Sequence, residues 1–209
     1  MGSRRLEPRT NVEQRLHGGL KVESALIVLG RFQPFHNGHA ELINAAISYL
    51  KIGDLDMPLR ICIGSSEAEQ TLENPWSANE REEMIRAWLG DDLKAEIVQV
   101  PDLGDPPNYV QHAEKFHGPP GIILTSDEET AKLYVEAEWM AVTSDLVNRE
   151  DWQGWRVRAT IQMMSTVSDV NGIRSVLTEN IPDEVVDWLI ENDAIKRLAF
   201  MGMGGEPVG

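Results

Sequence analysis

The chain has 209 residues, 42% of them hydrophobic and 25% charged, a mix that suits one globular domain with a full core. Its 34 acidic against 19 basic residues give a net charge of -15, which argues against duplex DNA, long RNA and anionic membranes as partners. A small anionic ligand would need a local basic pocket, so arginines near any motif are informative.

Residues 1–23 read as a flexible polar extension without an apolar signal core, and 201–209 as a flexible tail. Between them, 24–200 read as one domain. Leu26 to Leu29 is a short buried strand, and Gly38 to Leu50 follows with apolar residues at helical spacing. Leu59 to Ile63 is a second strand; a polar loop leads to a helix over Glu80 to Leu89. Ala95 to Val100 is a third strand, Asn108 to Phe116 a helix, Gly121 to Leu124 a fourth strand and Glu128 to Val135 a helix. From Glu138 to Met164 tryptophans are scattered among charges, and short strands or loops are expected. Two helices, Ile173 to Leu177 and Pro182 to Glu191, close the domain as a small C-terminal helical segment. Strands alternating with helices imply an α/β fold, a Rossmann-like parallel sheet covered on both faces. Ligands then bind beyond the carboxyl ends of the strands, at a topological switch point. The single cysteine, Cys62, reads as a small buried hydrophobe, which fits a reducing compartment, and no apolar run approaches the roughly 20 residues of a membrane span.

The stretch GRFQPFHNGH, residues 30–39, sits at the carboxyl end of the first strand. Gly30 permits close backbone approach. His36 and His39 bracket Gly38 where a helix begins, and a helix N-terminus with two imidazole donors favours phosphate. Gly38 leaves room for that approach, and Arg31 adds a planar bidentate donor. No Walker lysine and no G-x-G-x-x-G is present, and no third ligand makes a zinc site. Taken alone, the two histidines read first as a helix-cap pair. The whole string resembles the His-x-Gly-His nucleotidyltransferase superfamily, and within it the nicotinamide mononucleotide adenylyltransferases of the archaeal type.

Further segments are similar to that family. In IGSSEAEQTLENPWSANEREEMI the similar positions are Gly64, Ser65, Thr71, Asn74, Pro75, Trp76, Glu80 and Arg81. Tyr109, in PDLGDPPNYVQH, takes the place of an aromatic residue against the nicotinamide ring. Asp127 stands where an Asn lies near the ATP ribose, and SDVNGIR matches a phosphate-binding turn at its end, in Arg174. Three departures are expected to weaken phosphate contacts: Asp169 and Asn171 replace hydroxyl residues, and Glu73 stands where the family has Lys or Arg.

The resemblance implies transfer of AMP from ATP to nicotinamide mononucleotide, giving NAD and pyrophosphate. It implies catalytic roles for His36, His39, Arg31 and Arg174. ATP would meet Gly30, Arg31, Phe32, Gly38, Asp127 and Asn171. The acceptor would meet Gly64, Ser65, Asn74, Arg81, and Trp76 and Tyr109 bracketing its ring. Magnesium would ride on phosphate oxygens, with no metal ligands from the protein. A cytoplasmic homo-oligomer that binds neither nucleic acid nor membrane is expected. Read from the residues alone, Trp76 is a packing residue, Arg81 and Arg174 surface charges, Asp102 and Asp105 loop-shaping residues, and His112 and His117 structural. Another phosphate acceptor, or nucleotide binding without catalysis, are the alternatives.

Overall fold

A computed structural model describes residues 22–91, 93–146 and 152–201. The expected N-terminal extension and C-terminal tail lie outside the described residues, apart from residues 22, 23 and 201. Five parallel strands form one sheet in the order β3-β2-β1-β4-β5: β1 Leu26–Gly30, β2 Leu59–Ile63, β3 Glu96–Gln99, β4 Ile122–Thr125 and β5 Met140–Thr143. This is the Rossmann-like α/β architecture expected. The central strands β1, β2 and β4 are largely apolar because both their faces are covered; the exception is Arg60 of β2, buried and paired with Glu96 of β3.

Side chains alternate between two cores. Leu26, Val28, Ile61, Ile63 and Leu124 join one cluster with residues of the helices α1 (Asn37–Ile52), α2 (Ala78–Leu89), α5 (Gly154–Met164), α6 (Val170–Leu177), α7 (Asp183–Glu191) and α8 (Arg197–Met201), and with loop residues such as Phe32, Phe35 and Trp76. Ala25, Ile27, Cys62 and Ile123 face the other, beneath α3 (Tyr109–His117) and α4 (Glu128–Glu136). Cys62 is fully buried, and that burial pushes its thiol pKa up, so it packs as the sequence indicates. His117 is also buried, its Nε2 2.9 Å from the Tyr134 hydroxyl.

One region departs from expectation. Residues 138–164 hold the short edge strand β5, as expected, but also the 11-residue helix α5, where only short strands or loops were expected. Val157 and Ile161, one helical turn apart, are the buried stripe that makes α5 a helix. The charges and tryptophans around them obscured it.

The β1–β2 register runs to the pair Gly30–Ile63, whereas the β1–β4 ladder pairs only Leu26 with Ile122 and Ile27 with Ile123. The two strands therefore part before their carboxyl ends. The chain order reverses direction at the same place, which makes it the switch point.

Candidate active site

The chain leaves β1 at Gly30 and turns back through Phe32, whose φ is 51°. The Phe32 ring folds over Gly30, where an added Cβ would lie 3.0 Å from the ring Cζ. Phe32, expected at ATP, is thus a buried wedge of the core. Gln33, joined to Pro34 by a cis peptide, is buried as well. Its side chain grips the backbone of Trp76: Nε2 donates to the carbonyl at 2.7 Å, and Oε1 accepts from the N–H at 3.2 Å. This double bond between side chain and backbone ties the β1–α1 loop to the β2–α2 loop.

His36 occupies the N-cap of α1 in extended conformation. Its backbone N–H donates to His39 Nδ1 at 3.2 Å, and the two rings stack with centroids 3.7 Å apart. With Nδ1 acting as acceptor, the proton of a neutral His39 ring sits on Nε2. Burial, and secondarily the neighbouring His36, hold His39 well below the usual imidazole range. Burial, then the charge of Arg158, bring His36 down to about 4. Both rings are therefore neutral near pH 7 and offer N–H donors rather than full charges. His36 Nδ1 is buried and has no hydrogen-bond partner.

Gly38 does a different job from the one expected. A Cβ there would lie 3.1 Å from His36 Cε1 and 3.1 Å from Trp152 Cβ. The missing side chain admits the histidine ring and the lead-in to α5, not a ligand. Asn37 N–H, the first donor of the helix, is taken by the Asn180 carbonyl at 2.9 Å.

The β2–α2 loop is held from within. Arg81 is 1% exposed. Its guanidinium donates to the carbonyls of Arg31 at 2.7 Å, Gly64 at 2.8 Å, Ser65 at 3.0 Å and Ser77 at 3.2 Å. Burial, and then Arg31, lower its pKa to about 10, so it keeps its charge at neutral pH. It is neither the surface residue its helix position suggests nor an open acceptor contact; it clamps the ends of β1 and β2 together. Ser65 adopts a positive φ of 49° under that clamp. Trp76, expected to stack on a ligand, is 1% exposed and belongs to the main core, while Tyr109 packs on the opposite face of the sheet. The two cannot bracket one ring in this arrangement. The α2 N-terminus is closed by a reciprocal cap, Glu80 N–H to Ser77 Oγ at 3.3 Å and Ser77 N–H to Glu80 Oε2 at 2.8 Å.

Asn74 is half-buried, with Oδ1 lacking a hydrogen-bond partner. Tyr109 is half-buried beside the β3–α3 loop; burial, Cys62 and Asp102 push its phenol up to about 12. Asp127 caps α4, accepting from Thr130 N–H at 2.8 Å and Thr130 Oγ1 at 2.7 Å. Asp169 likewise caps α6, accepting from the backbone N–H of Asn171 at 3.1 Å. Arg174, further along α6, is ion-paired with Asp187 of α7. Arg31 is exposed at the rim. Among the described residues no three His, Cys, Asp or Glu side chains gather into a metal site.

Arg158 was not legible in the sequence. Its Nη1 donates to the Gln33 carbonyl at 2.8 Å, which brings α5 against the histidine loop. The spacing of Val157 and Ile161 was the signal for its helix; nothing in the sequence points from there to His36.

A family model described as cytidylyltransferase-like matches residues 27–178. The chain is 28% identical to the nicotinamide-nucleotide adenylyltransferase of Thermoplasma acidophilum over 191 residues, 90% of this chain and 97% of that protein. It is 32% identical to the nicotinamide-nucleotide adenylyltransferase of Picrophilus torridus over 133 residues, 63% of this chain and 75% of that protein. Its fold is similar to the crystal structure of a bifunctional NMN adenylyltransferase/ADP ribose pyrophosphatase from Francisella tularensis, with a TM-score of 0.58 and 22% identity, over 84% of this chain and 52% of that one. The chain spans about half the length of that bifunctional protein. The same protein complexed with AMP and a Mn ion matches with a TM-score of 0.56.

Proposed function

From the premise that the chain belongs to the cytidylyltransferase-like family and, within it, to the nicotinamide-nucleotide adenylyltransferases, we propose that it transfers AMP from ATP to nicotinamide mononucleotide, forming NAD and pyrophosphate. The observation that carries this reading is the His36–His39 pair at the opening between β1 and β4, with a fixed Nε2–H donor on His39.

A phosphate oxygen of the acceptor attacks the α-phosphorus of ATP; the bond to the β-phosphate breaks, and pyrophosphate leaves with the electron pair. The acceptor phosphate is already an anion near neutral pH, so no general base is needed. The protein's work is positioning and stabilising the charge that builds on the α-phosphate. His39 donates to an α-phosphate oxygen, and His36 serves the neighbouring phosphates. Arg31 holds the triphosphate, and Arg174 holds the leaving pyrophosphate once it exchanges its Asp187 partner. Gly30, Asp127 and Asn171 lie on the ATP side, and Gly64, Ser65, Asn74 and Tyr109 on the acceptor side. Trp76 and Arg81 act indirectly, by shaping the loops.

Magnesium, when bound, screens the phosphate charges. It would ride on phosphate oxygens that His36, His39, Arg31 and Arg174 hold in place, and would neutralise charge there. Cytoplasmic location and a homo-oligomeric state belong to the same proposal. Exposed apolar residues on the C-terminal helices, Trp155, Met163, Val170 and Phe200, support the second. No described helix is long and apolar enough to cross a membrane.

The test is a coupled assay with ATP, magnesium and nicotinamide mononucleotide, in which NAD and pyrophosphate form together. The nicotinate analogue is expected to react more slowly, since Asp102 places a carboxylate near Tyr109 on the acceptor side. Equal use of the nicotinate form overturns that preference. Product from neither acceptor, with ATP still bound, leaves a nucleotide-binding protein without catalysis.

A further inference from the structure

We infer that Arg158 is a phosphate-binding residue of this site, delivered by α5 to face Arg31 and His36 and to receive the phosphate of the acceptor. This rests on the adenylyl-transfer reading above.

Several independent contacts place it. The side chain is half-buried and anchored through Nη1 to the Gln33 carbonyl at 2.8 Å, so the guanidinium is held against the β1–α1 loop. One donor is used there, and a guanidinium has five. Gly154, one turn earlier on α5, provides the space: a Cβ there would lie 3.3 Å from Arg158 Nη1. Trp152 seats the start of the helix against Gly38, between the two histidines. The cation is therefore built into the histidine loop.

The electrostatics are those of an anion site. Arg158 and Arg31 repel each other, and Arg158 also disfavours charge on His36. A protein of net charge -15 has no general shortage of acidic partners. Bringing two guanidiniums together, beside an imidazole that stays neutral, costs free energy unless an anion binds among them. The carboxylate that Arg158 does sense is Glu73, on the β2–α2 loop that carries the acceptor-side residues. Glu73 is exposed and forms no ion pair among the described residues. It acts as a loose counter-charge that an incoming phosphate monoester displaces. The unpartnered Nδ1 of His36 lies in the same corner.

The competing role for Arg158 is a tether that merely holds the Gln33 carbonyl. A charge transplant separates the two. Calorimetric titration of the full chain with nicotinamide mononucleotide and, separately, with ATP reads phosphate binding without requiring turnover. Arg158→Met keeps the apolar stem and removes the charge; it should weaken nicotinamide mononucleotide about tenfold or more and ATP less than threefold. Arg158→Lys keeps the charge without the fork and should fall between. Adding Glu73→Arg to Arg158→Met returns a cation from the opposite loop without restoring the bond to Gln33, and should recover most of the lost affinity. Wild-type affinity in Arg158→Met overturns the proposal. So does an equal loss in the double variant, the signature of a tether. If Arg158→Met fails to fold, Arg158→Lys binding nicotinamide mononucleotide as tightly as wild type overturns it. If the affinities move as stated while the wild-type chain makes no NAD, adenylyl transfer fails and the Arg158 site stands. A wild-type chain that binds no nicotinamide mononucleotide overturns both.

Discussion

Two stretches of the chain carry recognisable motifs, and the fold uses them in opposite ways. In residues 30–39 the motif ends in histidines whose rings stack at the mouth of the cleft, and the short-range bond from His36 N–H to His39 Nδ1 fixes them. In residues 64–81 the most distinctive side chains, Trp76 and Arg81, turn inward and are 1% exposed. The first stretch holds the histidine pair proposed to act on phosphate; the second is largely the frame that holds the first in place, through Arg81 on the Arg31 carbonyl and Gln33 on the Trp76 backbone. A specific motif identifies a site without saying which of its residues touch the ligand. A residue fixed by the geometry of a buried loop is as constrained as one fixed by a substrate.

The sharpest way to break this contrast is Arg81→Met. The substitution leaves the buried Gly64 carbonyl without its side-chain donor and removes one from Arg31, Ser65 and Ser77. Each carbonyl left unsatisfied costs about 1–3 kcal/mol, so a total loss of roughly 3 kcal/mol or more is expected, in the range for breaking a buried charged network. Urea unfolding with an unchanged slope would measure it. A fold that loses under about 1 kcal/mol while acceptor binding collapses would make Arg81 a ligand contact and erase the distinction between the two stretches.

His39→Ala tests the other side. His39 contributes a donor at the rim and ring contacts with Phe32 and Phe35. Turnover should fall about 10²-fold or more, typical for one lost donor to developing charge. Binding of both substrates should change much less, and the fold should survive. A variant with near-full turnover removes His39 from the chemistry and leaves it a helix-capping residue.

Four of the five strands were legible because each carries a short apolar run bounded by Gly or Pro, and local pattern suffices for that; β5 fell in the stretch of charges and tryptophans where no strand could be delimited. The histidine loop was legible for a similar reason: cap, helix start and motif lie within ten residues of one another. What could not be read depends on distant partners. The inward turn of Arg81 is set by carbonyls from three other places in the chain. Gly38 accommodates Trp152, more than a hundred residues later. Arg158 meets Gln33 only because α5 packs against α6 and α8 and comes back to the β1–α1 loop. Asp169 looked harmful to phosphate, and its carboxylate instead satisfies the first turn of α6, a role set by its own backbone position. A sequence reports residue types and spacing; it does not report which backbone acceptor a long side chain will find.

Glu73→Lys gives the smallest and most diagnostic effect. Glu73 is an exposed carboxylate of the β2–α2 loop, outside the buried frame formed by Trp76 and Arg81. Its backbone N–H donates to Thr71 Oγ1 at 3.2 Å, so the loop's turn is held by the backbone and does not need the carboxylate. Two unit charges about 4 Å apart interact by roughly 4 kcal/mol at an effective dielectric of 20. For an exposed side chain the effect shrinks to about 1 kcal/mol or less. Reversing the charge should therefore lower the Michaelis constant for nicotinamide mononucleotide about two- to fivefold. The Michaelis constant for ATP and the unfolding midpoint should stay unchanged. The gain should fade as salt rises, because an exposed charge is screened over about 10 Å at 0.1 M. If neither constant moves, Glu73 has no electrostatic hold on the acceptor. If the ATP constant moves instead, this loop borders the triphosphate, and the two banks of the cleft must exchange their substrates.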